Sequence, residues 1–94
     1  MTSVIYKITY PNGKIYVGQD RTNSITYFGS PSEAYIGKDF TKSERQRFTV
    51  TREILWESEA ASQAEVTRKE IEIISTLRAN DPAIGYNQSP PFKG

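Results

Sequence analysis

A Pro-Asn-Gly turn near the start of the chain limits how the first two strands can pair. It occupies Pro11, Asn12 and Gly13 and separates two runs of β-branched and aromatic residues, at 4–10 and 14–18, a pattern that predicts a β-hairpin. A two-residue turn would leave Pro11 in a ladder position that needs an N–H group. A type I turn accepts Pro at its second position and Asn at its third, with Gly in the left-handed position that follows. A three-residue loop is therefore expected.

This loop length sets the register of the hairpin and hence the faces of its side chains. It pairs Ile8 with Tyr16 and Tyr6 with Gly18. Because side chains alternate between the two faces of a strand, Tyr6 and Tyr16 are then diagonal neighbours on one face. A shift of one residue would put these two tyrosines on opposite faces.

Three capping boxes predict the helices that follow the hairpin. In each box a hydroxyl residue precedes a glutamate by three positions, and this pair is typical of the N-terminus of a helix. The boxes are Ser30 with Glu33, Thr41 with Glu44, and Ser62 with Glu65. The expected helices are Pro31–Gly37, a short helix after Thr41, and a long helix from residue 63 to about 79. Residues 48–56 alternate like a strand.

These elements give the order β-β-α-α-β-α and an α+β fold, in which a small three-stranded antiparallel sheet is flanked by helices. Ninety-four residues suffice for one modest core, so residues 1–94 are expected to form a single domain. The longest apolar stretches are far too short to span a bilayer, and the N-terminus has no targeting pattern. A soluble cytoplasmic protein without membrane contact is expected.

Two residue types are absent, and their absence narrows the possible chemistry. The chain has no cysteine and no histidine, which excludes disulfides, thiolate nucleophiles, Ser-His pairs and the commonest transition-metal ligand. Twelve Lys and Arg against eleven Asp and Glu give a net charge of +1, so overall charge does not indicate a nucleic-acid partner. A basic cluster of Lys42, Arg45 and Arg47 is either a solvated face or a surface that follows a phosphate backbone.

Glu70 is a carboxylate in an otherwise apolar stripe of the long helix. At about 100° per residue, the stripe consists of Val66, Ile73, Ile74 and Leu77, with Ile71 at its edge. Glu70 falls in the middle of it. A carboxylate there is costly unless it is paired with a cation or bound to a metal. It is therefore either half of a buried ion pair with an arginine or a metal-binding carboxylate at the floor of a cleft.

Strict alternation in the third strand places Arg52 among apolar side chains. That face would consist of Phe48, Val50, Ile54 and Trp56. Arg52 would then point inward and either partner Glu70 or hold a phosphate. Alternatively, a bulge near Thr51 turns it to solvent, or its stem snorkels at the edge of the sheet. Trp56 is expected to pack in the core.

Four motifs occur in a specific order along the chain. They are Val4-Ile5-Tyr6, then Tyr16-Val17-Gly18 ten residues later, Glu70 on the last helix, and Gly85-Tyr86-Asn87 near the end. Together they resemble the GIY-YIG nuclease superfamily, in the form of a homing-endonuclease-like catalytic domain, over essentially the whole chain. Tyr27-Phe28-Gly29-Ser30 is similar to a variant in some phage and bacterial members. The resemblance implies a metal-dependent DNA endonuclease that hydrolyses phosphodiester bonds.

The resemblance also implies roles for individual residues. Tyr6 or Tyr16 would activate or orient the attacking water, Glu70 would bind a single Mg²⁺ or Mn²⁺, and Asn87 would be a supporting polar residue. The chain departs from the family at Val4, where the family has Gly, and in lacking an arginine on the first predicted helix. A cation that clamps the phosphate would then come from Arg21, Lys38, Arg45 or Arg52. Arg52 is chosen because of its inward register.

A second function remains open, because the same fold also suits a non-catalytic module that binds nucleic acid or protein. In that case Glu70 merely pairs with an arginine. The chain has no room for a separate DNA-binding domain. A nuclease of this size would therefore form a homodimer or act with a separate specificity subunit.

Overall fold

The chain forms one antiparallel sheet with helices on both faces. The computed structural model describes residues 2–21 and 33–93. The strands are β1 (Ser3–Thr9), β2 (Ile15–Asp20) and β3 (Thr51–Ser58), and the helices are α1 (Glu33–Asp39), α2 (Lys42–Gln46) and α3 (Gln63–Leu77). The strand order is β2-β1-β3, and both pairings are antiparallel. The predicted α+β fold class and the order β-β-α-α-β-α are confirmed.

The β1–β2 hairpin has the predicted loop and register. Gly13 has a φ of 86°, in the left-handed region, and the N–H of Tyr10 donates to the carbonyl of Lys14 at 2.9 Å. This is the three-residue loop that a type I turn followed by glycine produces. Both predicted cross-strand pairs are present, so Tyr6 and Tyr16 lie on one face of the sheet.

A bulge in β3 separates two side chains that were predicted to share a face. Tyr6 lies opposite Ile54, while the preceding residue, Ile5, lies opposite Trp56. Leu55 is therefore an extra residue, and it reverses the alternation of the strand. Trp56 packs against the core on the face of Ile5, whereas Ile54 stays on the face of Tyr6. The prediction of one continuous face is wrong at this point.

The bounds of β3 also differ from the prediction. The strand begins at Thr51 instead of residue 48. Thr51 pairs with Thr9, which is the last residue of β1, so residues 48–50 have no β1 residue with which to pair. The bulge considered near Thr51 is absent. Arg52 pairs regularly opposite Ile8, and its side chain points inward as predicted.

Two of the three predicted capping boxes are present. At Thr41 and at Ser62 the hydroxyl accepts from the N–H of the glutamate three residues later, and that glutamate accepts from the N–H of the cap residue. The predicted box at Ser30 begins outside the described residues. The two boxes fix the starts of α2 and α3, as the sequence predicted.

The ends of α1 and α3 were predicted less well. α1 continues through Gly37 to Asp39, because a glycine inside a helix costs only about 1 kcal/mol and does not by itself end it. α3 ends at Leu77, slightly before the predicted end, where Arg78 takes a left-handed φ of 58° and its N–H donates to the carbonyl of Ile74. No helix within residues 2–21 and 33–93 is both long and apolar enough to cross a membrane.

The sheet separates two apolar cores. On what we call the tyrosine face, the buried residues are Tyr6, Ile8, Tyr10, Ile36, Phe40 and Tyr86. On the helix face, against α3, they are Ile5, Val17, Val66, Ile74 and Ala79. The apolar stripe predicted for α3 is only partly buried, since Ile71 and Leu77 remain 42% and 36% exposed. The main contacts of α3 with the described part of the sheet are to β1 and β2, and Ile71 and Leu77 lie beside that contact.

The end of the chain covers part of the outer edge of β2. The N–H of Ile15 donates to the carbonyl of Ile84 at 3.1 Å, and the carbonyl of Ile15 accepts from the N–H of Tyr86 at 2.8 Å. The Asn87 side chain continues this pairing, since its Oδ1 accepts from the N–H of Val17 at 2.8 Å and its Nδ2 donates to the carbonyl of Val17 at 2.7 Å. The segment thus protects a strand edge that would otherwise be open to pairing.

Candidate functional site

Tyr6, Arg52 and Asp20 form a buried polar group on the tyrosine face. The guanidinium carbon of Arg52 lies 5.1 Å from the centroid of the Tyr6 ring, and Arg52 Nη2 is 3.7 Å from Asp20 Oδ2. The side chains of Arg52 and Asp20 are 12% and 8% exposed, and Tyr6 is 1% exposed. The prediction that Arg52 points inward is confirmed. Its carboxylate partner is Asp20, so the suggested pair with Glu70 is wrong.

Sequence analysis missed Asp20, although the hairpin register contains the signal. Residues 16, 18 and 20 alternate onto the face of Tyr6, which places a carboxylate at the end of β2 where the side chain of Arg52 can reach it across the Tyr6 ring. In a buried ion pair each charge compensates the desolvation of the other. Asp20 therefore holds Arg52 in place and offsets its charge.

Gly18 makes room for the hydroxyl of Tyr6. A Cβ atom at Gly18 would overlap that hydroxyl, and it would lie 2.7 Å from the ring carbon of Tyr6 that carries it and 3.2 Å from the ring of Tyr16. The backbone of Gly18 does not have a positive φ, so the glycine is required here for space alone. It allows the two motif tyrosines to pack side by side over β2.

Tyr16 is the more accessible of these two tyrosines. It is partly buried and packs against the core of the tyrosine face, whereas Tyr6 is enclosed. Burial, with a smaller contribution from nearby Tyr16, raises the pKa of Tyr10 to about 12. Tyr10 is therefore a protonated core residue, and of the two motif tyrosines Tyr16 is the one that can reach a ligand.

Glu70 lies on the helix face, beside β2. It is partly buried, and burial raises its pKa, while a hydrogen bond with Gln19 acts in the opposite direction. Gln19 also accepts from Gln63 Nε2 at 2.7 Å and donates to Thr67 Oγ1 at 3.4 Å, which ties α3 to β2. In the part of the chain that the structure describes, Glu70 takes part in none of the ion pairs. The predicted desolvated carboxylate is present, but an arginine partner is not seen there.

The structure does not bring all the predicted site residues to one face. Tyr6, Tyr16 and Arg52 lie on the tyrosine face and Glu70 lies on the helix face, with the sheet between them. β2 is an edge strand, so the two faces meet along its outer edge. Asn87 is fixed at that edge, and within the described residues the hydrogen bonds across it stop at Val17.

The donor atoms around Glu70 fit a hard cation with few protein ligands. Glu70 supplies carboxylate oxygens, the ligand type that Mg²⁺ prefers, while the amide of Gln19 is engaged with Glu70, Thr67 and Gln63. Across residues 2–21 and 33–93, no three metal-ligating side chains gather into one group. Mg²⁺ commonly binds through one or two carboxylates and completes its shell with water and phosphate oxygens. The residues present fit that arrangement, with Glu70 as the carboxylate.

A second polar group joins three distant parts of the chain. The hydroxyl of Tyr86 donates to Asp39 Oδ2 at 2.6 Å, and the ammonium of Lys14 donates to the same oxygen at 2.8 Å. Asn12 Nδ2 donates to the Tyr86 hydroxyl at 3.0 Å. The bond from Lys14, followed by that from Tyr86, holds the pKa of Asp39 below its usual range. Burial, then the bond to Asp39, raises the pKa of Tyr86 to about 12.

The sequence analysis did not predict this polar group around Tyr86 and Asp39 either. Asn87 was singled out because it completes a motif, whereas Tyr86 beside it was not. The available signal was the motif Gly85-Tyr86-Asn87 itself. A Cβ at Gly85 would overlap the carbonyl of Ala79 and lie 2.7 Å from that of Ile15, so this motif packs tightly against β2 and aims Tyr86 into the core.

α2 presents the predicted basic cluster to solvent. Lys42, Arg45 and Arg47 are all exposed, and no residue of α2 is buried. Glu44, between them, accepts the N–H of Thr41 in the capping box, and this bond lowers its pKa. The cluster is therefore available to a phosphate backbone, as one of the two sequence interpretations requires.

Three features thus define the candidate site: the polar group around Tyr6 and Arg52, the carboxylate of Glu70, and the basic surface of α2. Comparisons of the chain with protein-family models, with curated proteins and with solved structures found no match. Hydroxyl groups, carboxylates and exposed cations are the groups that phosphodiester chemistry uses.

Proposed function

We propose that the chain is a GIY-YIG-type endonuclease that hydrolyses phosphodiester bonds of DNA with one divalent cation. The observation that carries the proposal is the hairpin register, which puts Tyr6 and Tyr16 on one face beside the inward-pointing Arg52. Glu70 supports it as a partly buried carboxylate whose pKa is raised by burial. These residues supply a group for the attacking water and a metal ligand.

The accessibility of each residue assigns its role. Tyr16 orients the attacking water, because it is the motif tyrosine that reaches solvent. Tyr6 and Arg52 position Tyr16 and the neighbouring backbone, since one is enclosed and the other is held by Asp20. Asn87 is a further positioning residue, because it fixes the backbone of β2 next to Tyr16.

Glu70 would hold Mg²⁺ or Mn²⁺, which when bound neutralises charge on the scissile phosphate and stabilises the leaving oxygen. Glu70 and Tyr16 belong to opposite faces of β2. A phosphodiester that meets both therefore lies at the outer edge of this strand, beyond Val17, where the hydrogen bonds that residues 84–87 make along this edge stop among the described residues. The substrate is expected to cross the end of β2 there.

Cleavage of a supercoiled plasmid tests the proposal. We expect nicking with Mg²⁺ or Mn²⁺ and none with EDTA, loss of nicking in Glu70→Gln, and a loss of about 100-fold or more in Tyr16→Phe. Glu72→Gln is the matched control, because Glu72 is also on α3 but 64% exposed, and it should cleave like the wild type. Nicking that persists in EDTA or in Glu70→Gln would contradict the proposed chemistry.

The alternative function is a non-catalytic module that binds nucleic acid or protein. One observation favours it: Asp20 already offsets the charge of Arg52, and the sheet lies between Glu70 and the tyrosines. Such a module would be inert towards plasmid. It would also show no increase in melting temperature on addition of Mn²⁺, whereas the endonuclease should show an increase that Glu70→Gln abolishes.

The proposed partner is DNA, contacted through Lys42, Arg45 and Arg47. A homodimer or a separate specificity subunit would bring a second set of these side chains to the DNA and is part of the proposal. The proposal places this activity in the cytoplasm.

A further inference from the structure

A cleft lies beside the Tyr86 and Asp39 group, at the opposite end of β2 from Asp20. Its volume is about 520 Å³, within the range of pockets that hold small organic ligands. Its walls combine flat apolar surfaces, from Pro82, Pro91 and Phe92, with the side-chain amides of Asn80, Asn87 and Gln88. Asn87, which positions β2 in the proposed function, lines the cleft. Tyr6, Tyr16, Arg52 and Glu70 do not line it.

The walls of the cleft are held in place by specific contacts. The guanidinium of Arg78 lies over the ring of Phe92, 5.5 Å from its centroid, and Arg78 Nη2 donates to Asp81 Oδ2 at 3.1 Å. Asn80 Nδ2 donates to the carbonyl of Pro90 at 2.7 Å, which ties the end of the chain to the turn after α3. Phe92 remains 37% exposed. An aromatic ring is thus supported from within and accessible at the surface.

The charged side chains that line the cleft favour an anion. Lys14 and Lys38 contribute two positive charges and Asp39 one negative charge. Asp39 is held as a carboxylate by its bonds from Lys14 and Tyr86, which lower its pKa, so its charge is already compensated within the protein. The lining therefore presents two lysine side chains next to flat apolar walls.

We propose that this cleft binds one unpaired nucleotide of a single-stranded nucleic acid. The base would stack on Phe92, its edge would meet the side-chain amide of Gln88, and its phosphate would face the two lysines of the lining, Lys14 and Lys38. Aromatic stacking together with nearby cations is how proteins bind single strands without reading sequence. The inference rests on the nucleic-acid substrate of the proposed function and names the form that this substrate takes: an end, a flap or a gap with an unpaired base.

Binding of a short fluorescein-labelled oligothymidylate, measured by anisotropy in EDTA, tests the inference. Phe92→Ala should weaken binding at least about fivefold, and Phe92→Tyr should bind like the wild type because it retains the ring. Ile71→Ala is the matched control, since Ile71 is a similarly exposed apolar residue outside the cleft, and it should not change binding. The same dissociation constant in Phe92→Ala and wild type would overturn the inference.

Two further arms distinguish the source of the nucleotide. A duplex of the same length should bind without dependence on Phe92, and an equal dependence would show that the base need not be unpaired. Free thymidine monophosphate should displace the oligonucleotide at concentrations where inorganic phosphate does not. If the monophosphate binds through Phe92 and the oligonucleotide does not, the ligand is a free nucleotide and the assignment to a strand is wrong.

The binding arms and the plasmid assay fail independently. EDTA stops metal-dependent cleavage, so binding of oligothymidylate in EDTA is measured in the absence of cleavage. Glu70→Gln should retain binding that depends on Phe92. Loss of nicking with intact binding would leave the cleft assignment standing and remove the nuclease. Nicking without any dependence of single-strand binding on Phe92 would do the reverse.

Discussion

The packing of the two motif tyrosines depends on a single missing side chain. Gly18 has ordinary backbone torsion angles, yet any Cβ there meets the hydroxyl of Tyr6. Protein cores are packed so densely that one additional methyl group displaces its neighbours. The glycine of this motif therefore serves the position of Tyr6, and through it that of Tyr16.

We expect Gly18→Ala to lower the free energy of unfolding by about 1–3 kcal/mol, the usual cost of overpacking. Tyr6→Phe removes the hydroxyl and should relieve part of this cost, so a double-mutant cycle measured by urea denaturation should show coupling between the two positions. Gly37→Ala is the control, because a Cβ at Gly37 has nothing within 4 Å and alanine should stabilise the helix interior by up to about 1 kcal/mol. Additive effects at Gly18 and Tyr6 would mean that the glycine is needed for another reason.

Single residues show both what the sequence could predict and what it could not. The burial of Glu70 was predictable because helical periodicity fixes which side of α3 it occupies, whatever lies opposite. The inward direction of Arg52 was predictable from alternation for the same reason. Its partner was not, because Asp20 is more than thirty positions away in sequence, and their contact depends on the register of both strand pairs. Local periodicity gives direction, and only the assembled sheet gives the partner.

Element boundaries follow the same physical distinction. The starts of α2 and α3 are set by side chains within three residues of each other, so the sequence predicts them. β3 begins at Thr51 because its partner Thr9 is the last residue of β1. The bulge at Leu55 depends on how side chains pack on both faces of the sheet. Neither is encoded locally. The face assigned to Trp56 was wrong for this reason.

α2 is an element without a buried residue, so its basic side chains can be changed without disturbing the core. We expect the triple variant Lys42→Ala, Arg45→Ala, Arg47→Ala to bind DNA more weakly in EDTA. Each lost phosphate contact should reduce the slope of log K against log salt concentration by about 0.9. Arg68→Ala, an exposed arginine on α3, is the control. An unchanged slope in the triple variant would identify the cluster as a solvated face.

Contacts between segments that are distant in sequence join α1, the hairpin and the segment along β2. Asp39 at the end of α1 accepts from Lys14, which follows the hairpin turn, and from Tyr86, in the segment along β2. The fold class was predictable because it follows from the order of elements. This junction was not, because three exposed-looking polar residues give no periodic signal, and their meeting depends on how α1 and the end of the chain both pack against the hairpin.

We expect this junction to make stability depend on pH in the acidic range. The pKa of Asp39 is lower in the folded protein than its ordinary value of 3.8, so its ionised form stabilises the fold. That contribution is fully present above the ordinary value and is lost as the pH falls through the depressed pKa of the folded state. Asp39→Asn should therefore be less stable than wild type near neutral pH, with the difference shrinking in strong acid.

Urea unfolding of both proteins between neutral pH and about pH 2 measures this difference. Tyr86→Phe should keep most of the pH dependence, because the bond from Lys14 is the larger cause of the lowered pKa and remains in that variant. A difference between wild type and Asp39→Asn that stays constant down to strong acid would show that Asp39 acts through shape and neutral hydrogen bonding. A difference that disappears in acid would establish the charge of Asp39 as the link between α1, the hairpin and the end of the chain.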